Sequence, residues 1–290
     1  MKDLKVDIAI VGFQKAGTTS ILKYLAQQDE IQAHPQKEMT YFSSQAEFDE
    51  GWELAQKRYF YSVDPEKKLL IKHATLIRHE SSIKRLYEHN PKAKIIVSLR
   101  DPAERAYSSY LMEKSNGNQT QSFSEVVKEA FENHQKGESD WRYNVFIKLG
   151  EYVNYIDILV SYFGKKSVYI LNIEDFHKNK EKEFTRLCQW LKIETPRISV
   201  VQNQHNEYKE ARSGLLAKTI SSLLREGSIV KRTFKKIIPL ERQALMGEQI
   251  RNFVKRKAVK EPLDNETREF LNAHYVPYQK KLNEKYISIE

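Results

Sequence analysis

A single cysteine, Cys188, stands in 290 residues. No intrachain disulfide can form, and no cysteine-based zinc site can be built. Cys188 lies in FTRLCQWL at helical spacing with Phe184, Leu187 and Leu191, which reads as core packing rather than catalysis. No window reaches the apolar length of a membrane span, and the opening MKDLKVDIAIVG lacks a signal-peptide layout. The expectation is a cytoplasmic protein. Internal repeats, low-complexity tracts and RRM, zinc-finger or helix-turn-helix signatures are all missing.

What is present is a soluble composition. Charged residues make up 30% and hydrophobic residues 40%, enough for a sizeable core. The length suits one large domain or two small ones. The formal charge of +9 admits a polyanionic cofactor, an anionic polymer or nucleic acid. Part of the excess sits in Lys231 to Lys236 (KRTFKK) and Arg251 to Lys260 (RNFVKRKAVK). Such runs read first as solvated helix faces.

The chain is organised around Val6 to Ser20, VDIAIVGFQKAGTTS. Val6, Ile8, Ala9, Ile10 and Val11 predict a buried strand, broken at Gly12. Lys15, Ala16 and Gly17 predict a tight loop. Thr18, Thr19 and Ser20 open a helix carried by Ile21, Leu22, Tyr24 and Leu25. Backbone N–H groups at such a turn, the helix dipole and the Lys15 charge together favour an anion. The same turn taken alone is equally an ordinary strand-to-helix connection. It is not a Walker A loop, which needs Lys directly after its second Gly. Here Lys15 precedes Gly17, which weakens a triphosphate-and-magnesium reading.

Further buried strands are expected at Lys68 to Lys72, Lys94 to Leu99 and Ser167 to Asn172, with a short one at IQAHP after the first helix. Helices are expected over Gln45 to Tyr59, Arg78 to His89, Ser122 to His134, Phe146 to Phe163 and Lys178 to Leu191. A further helix begins at Pro102, with Asp101 as N-cap. Ser122 and Glu125 have capping-box spacing. The fold class is α/β, a central parallel sheet with helices on both faces. The last hundred residues predict helices and no strong strand. One domain is expected over 1–290, with a core about 5–195 and a helical extension about 206–290.

A second segment belongs with the first loop. In VSLRDPAERAYSSY, Arg100 ends a strand and Ser108 sits two turns into the next helix. Ligands of a parallel sheet bind at the carboxyl ends of its strands, where Arg100 offers a fork of donors to a phosphate. The pair of segments resembles the sulfotransferases that use 3′-phosphoadenylyl sulfate (PAPS). That family carries a K-x-G-T-T loop and, further on, an R-D-P strand end with a Ser eight residues after its Arg. Lys37-Glu38-Met39-Thr40-Tyr41-Phe42 matches its K-E-x-x-[FY]-F segment. Ile71-Lys72-His73-Ala74-Thr75 sits where heparan-type members carry K-T-P or K-S-P. The likeness is nearest the heparan sulfate and bacterial branch, and the layout also resembles saxitoxin-type tailoring enzymes. It implies a P-loop-kinase-like sulfotransferase fold.

The resemblance implies in-line transfer of a sulfuryl group from PAPS, releasing adenosine 3′,5′-bisphosphate (PAP), with no metal. Lys15 would stabilise the leaving group. Ala16, Gly17, Thr18, Thr19 and Ser20 would supply loop donors, and Lys72 a second cation. Arg100 and Ser108 would hold the 3′-phosphate. Glu38 is the candidate base, with His73 as rival and His34 as a third; Glu38 and His73 also border the acceptor. Tyr152, in the family's G-x-Y segment, is the aromatic candidate for an acceptor pocket, whereas Trp52, Trp141 and Phe146 read as core. Lys209, Arg212 and Gly214 loosely match the late R-K-G segment, which makes Arg212 a cofactor candidate. The acceptor is expected to be a small molecule or natural product, sulfated on a hydroxyl or on an amine or carbamoyl nitrogen. A glycan or lipid-linked sugar is the alternative. A P-loop nucleotide kinase and a non-catalytic nucleic-acid binder stand as readings from other classes. No nucleic-acid partner is expected, and oligomeric state is unknown.

Overall fold

The run VDIAIVG forms β1 (Val6–Gly12), and six of its seven residues are buried. β-branched residues that pack on two faces suit a central parallel strand. The computed structural model describes residues 4–194, 209–211, 255–257 and 261–287. Within it, β2 (Ile31–Ala33), β3 (Lys68–Lys72), β4 (Lys94–Leu99) and β5 (Val168–Asn172) join β1 in one sheet. The order is β2-β3-β1-β4-β5, and every pairing is parallel. β1 is therefore flanked by a strand from each half of the wind, and the crevice at its carboxyl end is the topological switch point. All five strands and the α/β class are those the sequence predicts.

The chain divides into two compact units, Met1–Arg105 with Lys148–Asn203 and Phe270–Glu290, and Ala106–Ile147 with Gln204–Glu269. In the first unit, alternate strand residues feed two cores. On one face Ala9, Val11, Ile71 and Val97 meet α3 (Trp52–Phe60), α4 (Glu80–His89) and α7 (Tyr152–Phe163). On the other, Ile8, Ile10, Leu70 and Ile96 meet α1 (Thr18–Leu25), α8 (Ile173–Lys178) and α9 (Lys180–Leu191). Cys188 is buried in that second core, and burial pushes its thiol up to about 12.

Two expected helices are broken. The Gln45 to Tyr59 stretch splits into α2 (Gln45–Asp49) and α3, because Gly51 takes φ 88°. The Phe146 to Phe163 stretch begins as a wider turn at Tyr143–Ile147 and restarts as α7 after Gly150. A Cβ on Gly150 would lie 2.7 Å from the Tyr275 ring, so no other residue fits under that side chain. The helix expected over Lys178 to Leu191 is α9, with the short α8 a separate helix ahead of Asn179. Tyr275 belongs to α10 (Asn265–Leu282).

The second unit takes up the chain within α5 (Pro102–Ser115). Its α6 (Phe123–Gln135) opens with the expected capping box of Ser122 and Glu125. Arg142 joins the helix to the turn that follows: its guanidinium donates to Asp140 at 2.8 Å and Glu129 at 2.8 Å. That pairing holds the Asp140 carboxyl down at about 2. In the stretch expected to carry no strong strand, β6 (Lys209–Ala211) and β7 (Lys255–Lys257) pair as a short two-stranded antiparallel ribbon. Among the described residues, no helix is long and apolar enough to cross a membrane.

Candidate active site

Each strand of the main sheet delivers one charged group at or just beyond its carboxyl end. These are Lys15 after β1, Glu38 after β2, Lys72 ending β3, Arg100 after β4 and Glu174 after β5.

The β1 loop is tied to its neighbouring strand. Phe13 N–H donates to the Ser98 carbonyl at 3.0 Å, and Ser98 Oγ donates to the Ala16 carbonyl, so β4 straps the loop. Lys15 at φ 71° and Gly17 at φ 80° turn the chain into α1. Gly17 is required twice over, since a Cβ there would lie 2.3 Å from Ile173 Cγ1. No side chain caps α1, and its first turn holds no acidic residue. A helix start of that kind fits a bound anion. Thr18 is buried while Thr19 is exposed and Ser20 half-buried.

Lys72 is the most deeply placed cation of the sheet edge, 1% exposed. Its Nζ lies 2.7 Å from Glu38 Oε1 and 3.5 Å from Thr19 Oγ1. Glu38 Oε2 accepts the Ala74 N–H at 2.9 Å, while the carboxylate side chain stays 30% exposed. Two of the predicted site residues are thus an ion pair that touches the start of α1. His73 points elsewhere. It is buried, with Nδ1 3.3 Å from Ser43 Oγ and Nε2 3.0 Å from Thr75 Oγ1. Burial lowers its pKa from the ordinary histidine value. His34 accepts the Lys72 backbone N–H on Nε2 at 3.0 Å, and burial with the nearby Lys72 charge brings it down to about 4. That lone pair is committed, so His34 does not serve as a base.

Arg100 is held between two carboxylates that sequence reasoning missed. Glu104 Oε2 lies 3.3 Å from Nη2, and Glu174 Oε1 lies 3.9 Å from Nε. Glu174 also accepts the Asp101 N–H at 3.3 Å, and Asp101 caps α5 by accepting from Glu104 N at 2.8 Å. The i,i+4 spacing of Arg100 and Glu104 was the available signal; nothing in sequence marked Glu174. Tyr152 is buried, and its hydroxyl donates to the Arg100 carbonyl at 2.9 Å while its ring packs on Phe13. It supports the Arg100 strand end from below. Ser108 is half-buried on α5, and Arg212 lies outside the described residues. Among the described residues, no group of three or more His, Cys, Asp or Glu is arranged to hold a metal ion.

Comparisons with known proteins bear on the family and the fold. A family model described as "Sulfotransferase domain" matches residues 5–267. The membrane-associated sulfotransferase kil1 of Dictyostelium discoideum is 35% identical over 103 residues, 35% of this chain and 21% of that protein. Carbohydrate sulfotransferase 15 of Mus musculus is 31% identical over 121 residues, 37% of this chain and 22% of that protein. The chain therefore aligns with about a fifth of the length of these curated relatives. A solved sulfotransferase from Alicyclobacillus acidocaldarius shares the fold, with TM-score 0.63 and 19% identity over 96% of this chain and 94% of that one.

Proposed function

The chain belongs to the sulfotransferase domain family, and on that premise we propose that it transfers a sulfuryl group from PAPS to a small-molecule acceptor. The attacking atom in this reading is a hydroxyl oxygen or an amine or carbamoyl nitrogen. The observation that carries it is the Lys72–Glu38 pair, 2.7 Å apart, set beside the uncapped start of α1. A cation and a carboxylate at one point suit a reaction in which negative charge moves while a proton is removed.

PAPS, when bound, supplies the sulfuryl group and a bisphosphate leaving group. Lys15 and the Ala16–Ser20 backbone and hydroxyls hold the anion at the β1 loop. Lys72 stabilises charge on the transferred group's oxygens, and Lys15 stabilises charge on the leaving oxygen. Arg100 and Ser108 hold the 3′-phosphate, Arg100 by exchanging a carboxylate partner for it. No metal takes part in this reading. Glu38 accepts the acceptor's proton. Glu38 is favoured over His73 because its carboxylate is partly exposed, whereas both ring nitrogens of the buried His73 meet hydroxyls. A cytoplasmic setting and one domain running through both units complete the reading.

The test compares Glu38→Gln with His73→Ala, PAP binding being checked in both. Glu38→Gln is expected to lose most turnover and His73→Ala little; wild-type turnover in Glu38→Gln overturns the base. A sugar acceptor is the second reading, favoured by the match to a carbohydrate sulfotransferase. Mass detection across a panel of phenols, amines, carbamates and oligosaccharides separates the two.

A further inference from the structure

The segment His34 to Met39 grips Lys72 at three points. Met39 N–H donates to the Lys72 carbonyl at 2.9 Å. Glu38 takes the ammonium at 2.7 Å, and His34 Nε2 takes the backbone N–H at 3.0 Å. The third contact is unusual in kind. β2 and β3 pair in register up to Ala33 and Leu70. One step further, the ladder would give the Lys72 N–H a backbone carbonyl of the β2 chain. Pro35 follows His34, and the chain turns away there. The imidazole fills the acceptor position that the strand no longer supplies.

His34 is 2% exposed, and the Tyr59 and Phe60 rings meet it edge-on. Because Nε2 accepts, the neutral ring carries its proton on Nδ1. Nδ1 is buried with no hydrogen-bond partner among the described residues. A buried donor left unmet is a cost that a leucine or phenylalanine would not carry. What the imidazole offers in return is the acceptor for Lys72.

We infer that His34 is a positioning residue for the transfer reaction: a fixed, neutral acceptor that holds the Lys72 backbone so that its ammonium meets both Glu38 and the start of α1. This rests on the sulfuryl-transfer reading above. It acts through Lys72 and touches no substrate.

The experiment uses the full chain. His34→Gln keeps an acceptor oxygen at about the reach of Nε2, while His34→Phe fills the space without one. The expected result is a kcat about 30-fold lower in His34→Phe. KM for PAPS and the thermal shift given by PAP should stay within about threefold of wild type. His34→Gln should recover at least a third of the wild-type kcat. Nitrogen-15 NMR of histidine-labelled wild-type protein should show His34 as the Nδ1–H tautomer. Wild-type kcat in folded His34→Phe, equal losses of kcat and PAP binding, no rescue by Gln, or an Nε2–H tautomer would each overturn the assignment. Absence of PAPS turnover in the wild-type protein is a different failure. It strikes the transfer reading, while the tautomer still reports on His34.

Discussion

Lys72, at 1% exposure, and the half-buried Arg142 are two cations treated in opposite ways. Arg142, in the second unit, is saturated. It donates to both oxygens of Asp140, to Glu129 and to Gln121. Lys72, in the first unit, has one carboxylate and a long contact to Thr19 Oγ1, and its third ammonium proton meets no partner among the described residues. A buried charge costs several kcal/mol unless it is paired and hydrogen-bonded. Arg142 meets that demand within the protein and stiffens a helix junction. Lys72 meets it in part, next to a helix start with no acidic residue in its first turn. In the proposed reading a bound anion would make up the shortfall at Lys72, which would separate a working cation from a structural one.

The contrast breaks first at Lys72 itself. Lys72→Met should lower kcat by about 10³-fold, since a donor aimed at developing charge is removed. Single-turnover assays with saturating PAPS read that loss. Glu38→Gln should cost about 10²-fold or more through loss of the base. It should also lower the melting temperature, because Lys72 is left buried with a neutral partner.

A third substitution tests the loop. Gly17→Ala must adopt φ 80° and meets Ile173, so it should lose about 3 kcal/mol of stability in denaturant melts. The saturated pair gives the opposite behaviour. Asp140→Asn should leave turnover unchanged yet cost about 2 kcal/mol at neutral pH. The Asp140 carboxyl is held at about 2, below its ordinary 3.8. Its contribution is therefore full above about pH 4, fades as pH falls toward 2 and is gone below that. In urea melts the gap between wild type and variant should shrink to about half between pH 7 and pH 3. Smallest is Tyr152→Phe, which removes one hydrogen bond to the Arg100 carbonyl and should cost about 1 kcal/mol.

Sequence reading reached different parts of this account unevenly. The five strands were legible because each is a short apolar run bounded by turn residues, a signal carried locally. The Gly51 and Gly150 breaks were not, since a glycine inside a periodic stretch is read through unless its φ or its tertiary neighbour is known. Lys72 and Glu38 were each picked out by motif, but their pairing depends on how the His34 to Met39 segment folds back across β3. His34 carried only the trace of a histidine before a proline at a strand end. Glu174 left no trace, because its contacts to Arg100 and Asp101 are made across the sheet edge from another strand. The Arg142 cluster was hidden for a related reason: Glu129 and Asp140 come together only once α6 and the following turn are formed.

Thermal-shift titration of the wild-type protein, with Lys15→Ala and Arg100→Ala alongside, asks whether these strand ends bind the bisphosphate. Adenosine 3′,5′-bisphosphate at a hundredfold excess over its Kd should stabilise the wild type by about 2.7 kcal/mol. Both variants should need far more ligand for the same shift, and ATP with magnesium or an oligonucleotide should give little. No stabilisation by the bisphosphate, or an equal response to ATP with magnesium, would contradict a sulfuryl-transfer site at these strand ends.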